Sequence, residues 1–324
     1  MHTLVYACDE NYASLTAISA VSALEYNPDL AIVLLGSSLS PAAIEKVRTR
    51  IEAHGGKFRY FDVSERLRNL SEKGLCPYTS YAAYSRLFIA ELLPEEEGRV
   101  LYLDCDTLVK GSLDELFAFD LKGKAFAFAY DCIEAHYRRY VKVGEDEPYF
   151  NSGVMLADLG EWRRSGASAI LERELANPRG PNPLGDQDMI VRAWKDLFTP
   201  LPPKWNFLSQ YFLFSYDRVR KICGVRSPWS SREEYDESIK SPIIFHFSGH
   251  TLGRPWFTSS RHPLRGEYIA AAKAADLEAA AFQKRKTAFP YFVQYCLWKN
   301  LPRVLFEPIA GIMYRLHIAL TYHV

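Results

Sequence analysis

Asp104-Cys105-Asp106 places two carboxylates two residues apart, directly after the apolar run Val100-Leu-Tyr-Leu103. In an extended chain, residues i and i+2 face the same way, so both anions would converge on one spot at the rim of a sheet. Carboxylates that close repel unless a cation lies between them. A hard divalent ion meets that need, and its remaining coordination positions accept phosphate oxygens. The competing reading is a solvated turn, or an acidic cap for a helix from Ser112 onward. His246 follows another apolar run, 242–245, and precedes Gly249. It is the natural third ligand, and imidazole suits manganese better than magnesium; a hydrogen-bonded structural histidine is the alternative. Gly185-Asp-Gln-Asp188 gathers carboxylates at the start of a helical pattern, either as ligand-binding groups or as an N-terminal cap. Tyr149-Phe-Asn-Ser-Gly153 sets a polar turn before the apolar run 154–156. That turn is either a plain β-turn or a place where glycine lets the backbone approach a ligand.

Residues so far apart in sequence need elements that bring them together. Short apolar runs at 4–8, 31–35, 100–103, 126–130 and 154–156 predict strands, and the segments 57–62 and 243–247 read as strands too. Helical spacing predicts helices over 12–26, 81–93, 162–175 and 185–194, and another from Ser40-Pro41 to Gly55-Gly56. Segments 200–205 and 248–255 read as loops. Strands alternating with helices imply βα units and a mostly parallel sheet. In such sheets ligands bind beyond the carboxyl ends of the strands. Asp9, Asn11, Asp104, Asp106 and His246 all fall at or just past such ends.

Several motifs then occur in one order: Tyr6-Ala-Cys-Asp-Glu-Asn-Tyr12, Tyr84-Ser-Arg-Leu87, Val100-Leu-Tyr-Leu-Asp-Cys-Asp106, Tyr149-Phe-Asn-Ser-Gly-Val154, Asp186-Gln-Asp188, His246-Phe-Ser-Gly249 and Arg254-Pro-Trp256. With them the chain resembles glycosyltransferase family 8, the retaining galactosyl- and glucosyltransferases, over residues 1–256. The resemblance implies an α/β fold of GT-A type, a nucleotide-sugar domain with helices on both faces of its sheet. It implies that Ala7, Asp9, Asn11 and Tyr12 hold the nucleotide, with Asp9 accepting a uracil hydrogen bond and Tyr12 stacking. Asp104, Asp106 and His246 would bind manganese, with magnesium as the alternative. Arg86, Asp104, Asn151, Ser152 and Asp188 would grip the donor sugar. Cys105 would act as a spacer whose backbone touches ribose. Gln187 would lie on the reacting face of the anomeric carbon, with Asp186 and Asp188 as the carboxylates available for a covalent intermediate. Gly249 and a basic side chain after it would contact the diphosphate. Here the sequence departs from the family pattern, because Arg254 stands where relatives carry lysine and the loop before it is longer. His250 is a rival for that contact.

The implied activity moves a hexose, glucose or galactose, from a UDP-sugar to a hydroxyl of a glycan or glycolipid acceptor, such as a lipopolysaccharide core. A non-catalytic UDP-sugar-binding scaffold on the same fold is the alternative, against which the intact carboxylates and His246 argue. A metal-dependent hydrolase or nucleotidyltransferase is disfavoured by the motifs for the uridine and the sugar.

Composition narrows the setting. Lys and Arg total 39 and Asp and Glu total 39, so no overall field points to nucleic acid. The 6 cysteines form no CxxC pair, which reads as free thiols in a reducing compartment. The N-terminus lacks the basic and apolar regions of a signal peptide, and no apolar run is long enough to span a bilayer. After Glu278 the chain changes character. Lys284, Arg285, Lys286, Lys299, Arg303 and Arg315 stand against a single acid, Glu307, among aromatics such as Phe289, Tyr291, Trp298 and Tyr314. A basic, aromatic, amphipathic segment suits an anionic membrane surface, the alternative being ordinary helices packed on the domain. The expected division is a catalytic domain over 1–265 and a helical extension over 266–324, in a cytoplasmic protein peripheral to the inner face of the plasma membrane.

Overall fold

Seven strands form the central sheet in the order β3-β2-β1-β4-β7-β6-β8, and a second sheet of three strands runs β5-β10-β9. The structure is a computed structural model that describes residues 1–72, 81–144, 146–223, 230–249, 251–278, 283–284 and 288–322. The strands are β1 (Thr3–Asp9), β2 (Ala31–Ser37), β3 (Lys57–Asp62), β4 (Arg99–Leu103), β5 (Thr107–Val109), β6 (Phe126–Phe128), β7 (Val154–Asp158), β8 (Phe198–Pro200), β9 (Phe207–Leu208) and β10 (Ile244–His246).

The first four strands of the large sheet are parallel, as the alternation of strands and helices predicts. Both faces of β1, β2 and β4 are covered. Leu4, Tyr6 and Cys8 pack on one side with Leu101 and Leu103, while Val5 and Ala7 pack on the other with Val100 and Tyr102. A strand buried on both faces has no polar residue to alternate, hence the unbroken apolar runs. The helix Ala13–Tyr26 is buried from Leu15 to Leu24. Ser40 caps the helix Pro41–Ala53, its hydroxyl accepting from the Ala43 amide.

β7 runs antiparallel to both β4 and β6. That reversal matters for function. It turns the amino end of β7, and the turn 151–153 before it, toward the carboxyl end of β4. The Asp104 amide donates to the Gly153 carbonyl at 2.7 Å, fixing the junction. The small sheet supplies the opposite wall. β10 pairs antiparallel with β5, with His246 opposite Thr107, and the Phe247 amide donates to the Asp106 carbonyl at 2.9 Å.

Some elements differ from the sequence expectation. Segment 81–93 is a 3-10 helix, Tyr81–Phe88, followed by the short α-helix Ile89–Leu92. The pattern over 162–175 divides into the helices Leu159–Arg164 and Ala167–Ala176, with Gly166 at φ +68° between them. Segment 200–205 ends in a 3-10 turn, Pro203–Trp205. β5, β8 and β9 span three residues or fewer, too short to show a period.

Downstream, the helix Arg265–Ala274 buries Tyr268, Ala271 and Ala272 in the same core as the first helix. The helices Phe289–Asn300 and Arg303–Tyr322 come next, and Phe306 and Ala310 bury themselves against Leu213 and Leu252. Among the described residues no helix is long and apolar enough to cross a membrane. Cys8, Cys105, Cys132 and Cys223 are buried free thiols.

Candidate active site

The ends of β1 and β4 lie side by side; the chain leaves β1 for β2 and β3 on one flank and returns to β4 on the other. A crevice at such a switch point is where open α/β sheets take their ligands. Asp104, Asp106 and His246 meet there, each offering a ligand atom within 4.8 Å of the others. His246 Nε2 lies 3.2 Å from Asp106 Oδ1 and 3.8 Å from Asp104 Oδ2.

The surroundings of this trio suit a divalent cation. His246 Nδ1 lies 3.0 Å from Asn206 Oδ1, which leaves Nε2 turned to the carboxylates. A second hydrogen bond of that kind fixes the tautomer of a metal-binding imidazole. Asn206 in turn donates to Asn151 Oδ1 at 2.9 Å, and the same oxygen accepts the Gly153 amide at 3.0 Å. A Cβ on Gly153 would lie 2.3 Å from His246 Cε1 and 2.6 Å from Asp104 Oδ2, so only glycine allows the turn to pass there. Asp and His donors together fit manganese, and Asp alone would fit magnesium.

Charge is balanced around the trio. Burial by itself would push the Asp106 carboxyl up, but the neighbouring His246 and Arg254 hold it well below the usual carboxylate range. His246 is the mirror case: burial would lower it, yet Asp106 raises it above an ordinary histidine. Arg254 binds the Asp106 carboxylate and the Phe247 carbonyl. Gly249 lies nearby in the same loop, and His250 falls outside the described residues.

A second cluster adjoins the first. Arg86, fully buried, spans the two. Its guanidinium reaches Asp104 at 3.0 Å, Asp186 at 2.8 Å and the Ser152 carbonyl at 2.6 Å, and lies over the Tyr102 ring. Tyr102 also donates to Asp104 at 2.8 Å. Gln187 is held at both ends. Its Oε1 accepts the Ser152 amide at 3.1 Å, and its Nε2 donates to Asp131 at 3.0 Å. Asn151 donates to the same Asp131 oxygen at 2.9 Å. Asp188 accepts from Tyr149 at 2.6 Å, from Tyr137 at 3.2 Å and from the Leu184 amide at 2.8 Å. Burial pushes its carboxyl up to about 6 despite those donors. Burial likewise raises Asp186, with Arg86 pulling the other way.

Asp9, Asn11 and Tyr12 sit at the end of β1. The Asn11 amide donates to Asp9 Oδ1 at 3.0 Å, and Tyr12 is 41% exposed, its ring open to a stacking partner. Ala7 and Cys105 meet behind them. The Cys105 thiol donates to the Ala7 carbonyl at 3.1 Å and lies in the core, so the side chain between the two aspartates faces away from them. All these residues thus gather at one rim of the sheet. Sequence reasoning passed over two of their partners, Asn206 and Asp131. Asp131 carried a usable signal, because it follows the apolar run 126–130 as Asp104 follows 100–103. Asn206 stands at the end of a proline-rich loop and carried none.

Comparison with known proteins agrees with this geometry. Residues 3–259 match the family described as Glycosyl transferase family 8. General stress protein A of Bacillus subtilis is 25% identical over 280 residues, covering 83% of this chain and 92% of that protein. Glycosyltransferase GlyF of Streptococcus pneumoniae is 28% identical over 87% of this chain, which spans 64% of GlyF. Lipopolysaccharide 1,2-glucosyltransferase of Escherichia coli is 23% identical over 80% of this chain and 74% of its own length. The crystal structure of the galactosyltransferase LgtC, in complex with donor and acceptor sugar analogs, superposes with a TM-score of 0.65 at 23% identity, over 84% of this chain and 95% of that one. The fold is the GT-A arrangement of an α/β sheet flanked by helices, and the chain belongs to glycosyl transferase family 8.

Proposed function

We propose that this glycosyltransferase moves glucose or galactose from a UDP-sugar to a hydroxyl of a glycan acceptor, with retention of anomeric configuration. The observation that carries the reading is the meeting of Asp104, Asp106 and His246 beside the Arg86–Gln187 cluster. Those three side chains would hold manganese, or magnesium. Once bound, the ion would neutralise the diphosphate as its bond to the sugar breaks.

The chain's own groups divide the remaining work. Tyr12 and Asp9 suit the uracil end, with Ala7, Asn11 and the Cys105 backbone along the ribose. Arg254 and Gly249 suit the diphosphate, and the fork of an arginine matches phosphate oxygens. Arg86, Asn151, Ser152 and Asp188 line the place of the sugar. Gln187 is a neutral amide fixed at both ends, and so a poor nucleophile. Asp186 is tied to Arg86 and Asp188 to three donors. A carboxylate so engaged is slow to attack carbon, which favours a front-face route. There the bond from the anomeric carbon to phosphate oxygen breaks, the acceptor oxygen bonds to the same face, and its proton passes to the leaving diphosphate.

A panel of UDP-sugars with manganese, with products read by mass spectrometry and NMR, tests this. Retained stereochemistry and no trapped adduct are expected. A stable glycosyl–Asp186 or glycosyl–Asp188 adduct contradicts the front-face route, and absence of any turnover contradicts the transferase reading.

The acceptor is proposed to be membrane-borne. Leu305, Ile312, Leu316 and Leu320 form an exposed apolar stripe on the helix Arg303–Tyr322, flanked by Arg303 and Arg315. This pattern suits the interface of an anionic leaflet and favours a position for the enzyme at the inner face of the membrane.

A further inference from the structure

The last two helices cover more than the side of the domain. Between them and the catalytic domain lies a cavity of about 260 Å³. Its inner wall is shared with the site described above. Tyr137 and Leu184 line it, and both donate to Asp188; Gly249, from the loop after His246, lines it too. Its outer wall comes from Tyr291, Gln294 and Tyr314, all beyond the span of the family match.

We propose that this cavity is the subsite for the acceptor's terminal sugar, and that the C-terminal helices determine which sugar it takes. The proposal rests on the glycosyl-transfer reading above and deepens it. Four observations carry it. First, the wall is built, not draped. On the helix Arg303–Tyr322, Phe306, Ala310 and Tyr314 share one face by their spacing of four. Phe306 and Ala310 are 1% exposed, and Glu307 accepts from the Ser215 amide at 2.6 Å and its hydroxyl at 3.0 Å. Gly311 packs so closely on Arg218 that a Cβ would lie 2.2 Å from its Nη2.

Second, the lining has the chemistry of a sugar site. Tyr291 and Tyr314 offer aromatic surface, while Gln210 and Gln294 offer amides from opposite walls. The Thr251 hydroxyl fixes Gln294 by donating to its Oε1 at 2.7 Å. Apolar and aromatic walls with a few placed polar groups are the general make-up of a small-molecule site. Third, the volume falls below the roughly 300–1,000 Å³ of sites for drug-sized ligands, which suits one ring and not an oligosaccharide. Fourth, the buried charge is paired. Arg218 meets Glu134 at 3.0 Å inside the cavity wall, and Arg315 approaches Glu134 at 3.9 Å from the solvent side. A paired wall favours a neutral hexose over a uronate or a sugar phosphate.

The test uses the full chain with UDP and magnesium, and the methyl α- and β-glycosides of glucose and galactose as probes, read by saturation-transfer NMR. At least one glycoside is expected to bind the wild type. Gln294→Ala and Tyr314→Ala are each expected to weaken it about tenfold or more while UDP affinity stays unchanged. Gln294 is half-buried, so its variant decides the question if Tyr314→Ala fails to fold. Wild-type affinity for the glycoside in every variant that folds overturns the proposal. So does a wild type that binds UDP but none of the glycosides. A wild type that binds no UDP overturns the glycosyl-transfer reading itself, and the subsite with it.

Discussion

Gly153 has no side chain because His246 and Asp104 occupy the space one would need. Gly153→Ala must therefore displace a ligand or the turn. Misplacement near 1 Å costs catalysis about 100-fold, so turnover is expected to fall by that order, with manganese affinity falling alongside. Titration by electron paramagnetic resonance checks it; unchanged affinity would mean the three side chains do not act on a metal. Asn206 works one step further out, holding the far nitrogen of His246. Removing such a partner costs roughly 10- to 100-fold in metal affinity, and Asn206→Ala is expected to show that loss in the same titration. Asp188 supplies a pH test. Its carboxyl sits at about 6 against an ordinary aspartate value of 3.8. The native state thus binds this proton more tightly than the unfolded chain. Its contribution to stability is full below about 4 and is lost as pH rises through about 6. At 1.36 kcal/mol per unit, wild type relative to Asp188→Asn should lose about 3 kcal/mol between those limits. Denaturant titrations at pH 4 and pH 7 measure it, and parallel profiles would contradict the buried charge.

At the scale of elements, one reversed strand and one small sheet bring the site together. β7 runs against its neighbours, so the turn 151–153 meets the end of β4. β5 and β10 pair so that His246 stands beside Asp106. The long apolar runs and the helices near the start were legible in the sequence, since burial on both faces leaves no ambiguity of pattern. The pairing directions were not, because a five-residue run such as Val154–Asp158 reads the same either way. β5 and β9 were too short to read at all. The candidate ligands were legible through the ends of strands, whereas Asn206 joins the candidate site only through a contact 40 residues away, with His246. The helix Arg303–Tyr322 belongs to this scale too. Replacing Ile312 and Leu316 by Asp breaks its bare stripe without touching the buried Phe306 and Ala310. Burying each aliphatic side chain is worth about 1.5–3 kcal/mol, so partition to anionic vesicles should fall tenfold or more in sedimentation assays. Unchanged partition would remove the membrane reading and leave the helices as packing alone.

For the molecule as a whole, the family match ends at residue 259, and the helices beyond it contribute Tyr291, Gln294 and Tyr314 to the cavity proposed for the acceptor. On that proposal, donor chemistry and acceptor choice reside in different parts of the chain: the first at the switch point of the sheet, the second where the last helices close over it. The central claim is that Asp104, Asp106 and His246 hold one cation on which the nucleotide diphosphate lies. Release of UDP from UDP-glucose and UDP-galactose, with manganese titrated back after chelation, tests it most directly when wild type and Asp106→Ala are run together. Turnover is expected to vanish with chelator, to return with manganese in the wild type, and to stay absent in the variant. Turnover that survives chelation, or an Asp106→Ala enzyme with near-normal rates, would contradict it.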